Sequence, residues 1–145
     1  MSYIIEQGDT HFAIRARDKE VAFLNTKEKL LSQNSNWRGG SRAEVAASKN
    51  LIELLKAWNW TIEEDEKGNV TDIMFEGEKN GDYDVLWFYL APYVVSGSYI
   101  EMIGEDTERW RWRFDHGHFL VQEGQFVWNH KCLCPTCKRT INIKG

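Results

Sequence analysis

Residues 109–114 read Arg-Trp-Arg-Trp-Arg-Phe, the cleanest two-residue period in the chain. Adjacent side chains of a strand point to opposite faces, so Trp110, Trp112 and Phe114 share one face and Arg109, Arg111 and Arg113 the other. Such a strand belongs in a sheet with one side covered and one side wet. Its flanks fit that placement. Residues 99–103 lead through Gly104-Glu105-Asp106-Thr107-Glu108 into the strand, and Asp115-His116-Gly117 leads out of it into residues 118–121. Turn residues at these positions make the three segments a meander, with Gln125-Phe126-Val127-Trp128 as a candidate fourth strand.

Upstream, the pattern alternates between helical and extended. Residues 3–7 and 11–17 read as a hairpin around Gly8-Asp9-Thr10. Residues 19–33 read as a helix burying Val21, Leu24, Leu30 and Leu31, closed by the loop residues 34–40. Ser41-Arg42-Ala43-Glu44 has the form of a capping box, which predicts one helix running from Ser41 to about Trp58. The period then changes to two: residues 60–63 and 70–75 pair across Asp65-Glu66-Lys67-Gly68-Asn69. Asp82 is placed to cap a third helix ending near Val94, with Pro92 in its last turn. The expected architecture is α+β, an antiparallel sheet with about three helices packed on one face. Residues 1–129 form a single domain, and 130–145 a basic cysteine-containing tail.

A chain of 145 residues is long enough for one such core. Its longest apolar run, residues 85–95, is too short to cross a bilayer, and no leader-like segment opens the sequence. Nineteen residues are aromatic, seven of them Trp, and most of the Trp residues fall where helix or strand period would bury them. The formal charge of −4 conceals a segregation. Residues 1–60 carry a net +2, residues 61–108 a net −11, and residues 109–145 a net +5. An anionic middle third repels phosphates and speeds encounter with a cationic protein surface. Its candidate contact residues are Glu63, Glu64, Asp65, Glu66, Glu76, Glu78, Asp82 and Asp84.

Two cationic features compete with this reading. Arg109, Arg111 and Arg113 form a guanidinium row suited to phosphate or carboxylate. Arg38 and Arg42 flank a helix start, a candidate anion pocket. Together with the basic tail, the arginines of the strand support an alternative, a nucleic-acid-binding accessory domain. Against it, the period points the aromatics inward, where they cannot stack on bases. A small enzyme or nucleotide sensor with Trp residues and Arg38 and Arg42 lining its pocket is a second alternative. No nucleophile elbow, zinc-protease helix, Walker A loop or dinucleotide fingerprint occurs.

All three cysteines lie near the C-terminus. Cys134-Pro135-Thr136-Cys137 has the spacing of half a zinc ribbon. Cys132 and His130 complete a candidate four-ligand set for structural zinc, with His116 or His118 as substitutes for the imidazole, or ions shared between two chains. His116-Gly117-His118 itself straddles a predicted turn.

The stretch Ala91-Pro92-Tyr93-Val94-Val95-Ser96-Gly97-Ser98-Tyr99-Ile100-Glu101-Met102-Ile103-Gly104-Glu105-Asp106, followed by Trp110-Arg111-Trp112 and Phe114, resembles a motif in small uncharacterised proteins of bacterial phages and mobile elements. The resemblance covers roughly residues 50–128. It implies a setting in the bacterial cytoplasm and, at the level of class, an inhibitor of host defence or regulatory machinery. Combined with the acidic segment, the expectation is a non-enzymatic protein-binding module. It would cover the basic groove of a nucleic-acid-binding effector, as an anti-CRISPR inhibitor does.

Overall fold

The computed structural model describes residues 4–33, 37–79 and 81–124. In chain order these form β1 (Ile5–His11), α1 (Lys19–Ser32), α2 (Arg42–Ala47), α3 (Leu51–Lys56), β2 (Trp60–Glu64), β3 (Val70–Phe75), α4 (Tyr83–Leu90), β4 (Tyr99–Gly104), β5 (Arg109–Asp115) and β6 (His118–Gly124). Short 3-10 turns at Ala16–Asp18 and Ala91–Tyr93 precede α1 and follow α4. The α+β class is as expected, but the strands divide. An antiparallel sheet runs β1-β4-β5-β6, while β2 and β3 form a separate hairpin. Among the described residues, the expected single sheet with about three helices is therefore corrected to two sheets and four α-helices. Among the described residues no helix is long and apolar enough to cross a membrane.

The N-terminal hairpin is replaced by one strand. Gly8-Asp9-Thr10 does not turn the chain back; the three residues are absorbed as a register shift against β4 between Gln7 and Thr10. Extra residues in one strand of a pair bend it without ending it. A Cβ at Gly8 would lie 2.8 Å from Glu101 Oε1, so a larger residue there would require the Glu101 side chain to shift. Beyond β1, Ile14 bridges Val70 on one side and Val94 on the other, stitching the hairpin to the segment after α4.

The helix expected over 41–58 is two helices. Ser41 Oγ accepts the Glu44 N–H at 3.3 Å, as the capping signature requires. The first helix then stops, because Ser48 turns extended and its hydroxyl donates to Val45 O at 2.5 Å. Asn50 starts the second: its Oδ1 accepts the Glu53 N–H at 2.9 Å, and Glu53 Oε1 accepts the Lys49 N–H at 3.0 Å. In α1 the buried positions are Ala22, Phe23, Thr26 and Leu30, whereas Val21 and Leu24 are 41 % and 54 % exposed. The expected stripe is thus kept at Leu30 but rotated toward Ala22 and Phe23 in the first turns, in a helix whose main neighbours are α3 and α4. Asp82 stands at the start of α4 but does not cap it; its Oδ2 accepts the Arg38 N–H at 2.9 Å.

The aromatic load sits in the core. Trp60 of β2 packs edge-on to Trp87 and Tyr83 of α4 at 5.1 and 5.7 Å and to Trp112 of β5 at 6.1 Å. It thereby links hairpin, helix and main sheet through one side chain. Gln7 makes the second link between the sheets. Its Nε2 donates to Ile73 O at 2.8 Å and its Oε1 accepts the Phe75 N–H at 2.7 Å, so one side-chain amide pairs with β3 as a strand would. The inward face of the meander is as the alternation predicts: Trp112 and Phe114 are buried and Trp110 half-buried. His116 and Gly117 join β5 to β6 at φ 50° and 80°, the left-handed backbone that a tight two-residue hairpin turn needs.

Candidate acidic interface

The eight candidate acidic residues fall into three places. Glu63, Glu64, Asp65 and Glu66 cluster at the tip of the β2–β3 hairpin, all on exposed residues. Asp65 organises this tip from within. Its Oδ1 accepts the Lys67 and Asn69 N–H groups at 2.9 Å each, and its Oδ2 accepts Asn69 Nδ2 at 3.0 Å. These bonds, the Asn69 side chain first, hold the Asp65 carboxyl below its ordinary 3.8. Glu64 is paired with Lys19 at the start of α1. Glu63 and Glu66 have no ion-pair partner among the described residues.

The pairing adds an acid that sequence reasoning did not single out. Glu63 lies directly opposite Asp72, on the hairpin face away from Trp60 and Ile62. Like charges directly across a strand pair repel. The signal was present: counting back by one from buried Ile73 puts Asp72 on the outer face, opposite whichever outward β2 residue the register selects. Register was the missing piece, because it shifts by a residue between Glu63 and Glu64.

Glu76, Glu78 and Asp82 lie beyond the other end of β3, about 17 Å from the tip at 3.4 Å per residue. Glu76 and Glu78 line an open cleft of about 600 Å³ with Arg38, Lys79, Asn59 and Tyr83, so carboxylates and cations share it. Asn59, at φ 69°, donates to Gly39 O at 2.7 Å and shapes the cleft wall. Burial pushes the Tyr83 phenol above its ordinary 10.0. Asp84 belongs to neither group: its Oδ1 accepts the Trp112 indole N–H at 2.7 Å.

The arginines are similarly separated. Arg109 and Arg111 both reach Glu101, at 3.3 and 3.5 Å, so one carboxylate serves two members of the row. Arg111 also lies 4.4 Å over the ring of Tyr99. Tyr99 donates to Asp9 Oδ2 at 2.7 Å, which lowers the Asp9 carboxyl and raises the Tyr99 phenol. Tyr99 and His11, 5.4 Å apart, thus give the arginine face aromatic groups that the inward-pointing Trp residues do not supply. Arg113 has no ion-pair partner among the described residues. Arg38 and Arg42 turn to different neighbours. Arg38 Nη2 is 3.7 Å from Asp82, whereas Arg42 Nη2 donates to Leu31 O at 2.6 Å and stacks 5.1 Å over Trp37.

Among the described residues no group of three or more His, Cys, Asp or Glu side chains is placed to hold a metal ion. The candidate zinc ligands His130, Cys132, Cys134 and Cys137 lie outside the described residues, as does the candidate strand at 125–128. His116 and His118 are described: His116 forms the turn, with Nδ1 3.0 Å from Asp115, and His118 opens β6 opposite Asp115. Ser96 donates to that same Asp115 at 2.8 Å and, with the histidine, holds its carboxyl low.

Compared with known proteins, the chain matches no family model, no curated protein and no solved structure.

Proposed function

We propose that this protein is a non-enzymatic protein-binding module that presents its acidic β2–β3 hairpin to a cationic protein groove. The observation that carries the reading is the direct opposition of Glu63 and Asp72 on a tip already bearing Glu64, Asp65 and Glu66. Opposed carboxylates weaken the free hairpin, and a cationic partner relieves that repulsion on binding. The Asp65 turn fixes the tip in advance, so little ordering is left for the moment of contact. A groove that holds nucleic acid has the required charge. In a phage or mobile element, such a module would act by competing with nucleic acid for a defence effector. A structural zinc on His130, Cys132, Cys134 and Cys137 is part of the same proposal, in a stabilising role only.

The test is inhibition of DNA cleavage across a panel of RNA-guided nucleases, comparing wild type with the double variant Glu63→Lys, Glu66→Lys. At least one nuclease should be inhibited, with potency falling as salt rises and dropping about tenfold or more in the variant. Inhibition that survives both salt and charge reversal would overturn the acidic interface. Silence across the whole panel would overturn the defence-inhibitor form of the proposal.

A further inference from the structure

Beside the acidic tip lies a feature of the opposite sign. A trough of about 720 Å³ opens where the segment after β1 passes the start of β3, with Arg15, Arg17 and Lys67 on its rim. The half-buried Ala13, Ala16 and Val95 supply an apolar floor over the fully buried Ile14 and Val70, and among the described residues no carboxylate lines it. Arg15 and Arg17 have no ion-pair or hydrogen-bond partner for their side chains among the described residues. Lys67 feels the charge of Asp65, two residues away. Two guanidinium groups are therefore left without compensation at the mouth of an apolar hollow.

The backbone around the trough is held on every side. Ile14 and Val70 exchange N–H···O bonds of 3.2 and 2.8 Å, and Val95 N–H donates to Ala13 O at 2.8 Å. The Ala16 N–H donates to Asn69 Oδ1 at 2.8 Å, and the Asp18 N–H to Arg15 O at 2.9 Å. The two arginines thus leave a fixed turn, and the lysine leaves a turn latched by Asp65. Cations on pre-ordered backbone lose less freedom on capturing a ligand than cations on a loose loop.

We infer that this trough is a binding site for a nucleoside di- or triphosphate, built on cations and not on the carboxylates of the neighbouring acidic tip. The volume lies within the range of small-molecule sites, which are mostly apolar with a few polar groups that fix orientation. Arginine forks match phosphate oxygens bidentately, and two of them with a lysine suit a charge greater than a single carboxylate carries. The floor of Ala13, Ala16 and Val95 covers a base or sugar face. It holds no aromatic ring, so it offers no stacking series for a longer strand.

The experiment is a titration of the full chain with ATP, ADP, pyrophosphate and a single-stranded oligonucleotide, followed by amide chemical shifts. ATP and ADP should move the amides of residues 13–17 and 67–71 saturably, with pyrophosphate weaker because it leaves the floor empty. The double variant Arg15→Ala, Arg17→Ala should weaken ATP about tenfold or more while shifts elsewhere stay at wild-type positions, which shows that the fold is retained. Shifts confined to the Arg109–Asp115 strand, binding of the oligonucleotide without the nucleotides, or undiminished affinity in the variant would each overturn the assignment. So would pyrophosphate binding as tightly as ATP, and so would no response to any of the four ligands.

Discussion

The carboxylate of Asp84 accepts the indole N–H of Trp112, a side chain only 2 % exposed. By charge alone Asp84 belongs with Glu63 and Glu66, yet its oxygen is committed to a core ring. Asp84→Ala leaves that N–H without a partner in a buried place, and such an orphan costs about 1–3 kcal/mol. Urea denaturation should show a loss of that size, with partner binding unchanged. Glu66→Lys should do the reverse, weakening binding with stability nearly constant, because an exposed carboxylate without a partner contributes little to folding. If Asp84→Ala left the midpoint in urea unmoved, the bond to Trp112 would carry no weight. Gln7 is a similar case. A polar residue on a short strand carries no sequence signal that its amide will pair with the backbone of another hairpin, so the link between the two sheets is visible only in three dimensions.

The break between α2 and α3 gives a test with opposite signs. In one continuous helix Asn50 would sit in the interior, where alanine is the better residue by several tenths of a kcal/mol. In the structure Asn50 caps α3 through Glu53, and replacing such a cap with alanine costs about 1 kcal/mol. Asn50→Ala should therefore lower the unfolding free energy, and a rise would restore the single helix expected from the sequence. The cue was legible: Asn50-Leu51-Ile52-Glu53 repeats the spacing of Ser41-Arg42-Ala43-Glu44, but the apolar run through Leu51, Leu54 and Leu55 also fits continuation. The elements read most accurately are those whose two-residue period meets clear turn chemistry, namely β2, β3 and the β4–β5–β6 meander. Where turn residues lie inside a strand, as at Gly8-Asp9-Thr10, a bulge and a hairpin look alike in sequence, and only pairing with distant β4 decides. The acidic tip was legible for the same reason as the hairpin that carries it, whereas Asp72 needed the register. Burial in α1 was legible at Leu30 and Leu31 and misplaced at Val21 and Leu24, because a helix with apolar residues on two sides is oriented by its neighbours and not by its own period alone.

Across the whole molecule, the acidic tip is only as rigid as its mounting. The hairpin shares no ladder with the four-stranded sheet, and it is held by Gln7, by the bridge from Ile14 to Val70, and above all by Trp60. Trp60 is fully buried and touches Phe75 within the hairpin at 4.9 Å, Trp87 in α4 and Trp112 in the main sheet. A side chain shared among three elements makes their stabilities interdependent, so hairpin and sheet should unfold as one cooperative unit. Trp60→Ala opens a cavity at that junction, and truncation of a buried Trp costs about 3–5 kcal/mol. The loss should appear equally in both sheets: amide exchange of Thr61 and Met74, a hydrogen-bonded pair of the hairpin ladder, should accelerate in step with that of Ile100 and Trp112. Were the hairpin amides to exchange early in the wild type, well ahead of the meander, the tip would be an independently mobile arm. Its carboxylates would then be ordered only on binding, and the pre-fixed geometry that favours a cationic groove would be lost. Coincident exchange would instead mean that the aromatic core, far from the charged tip in both position and chemistry, sets how precisely that charge is presented.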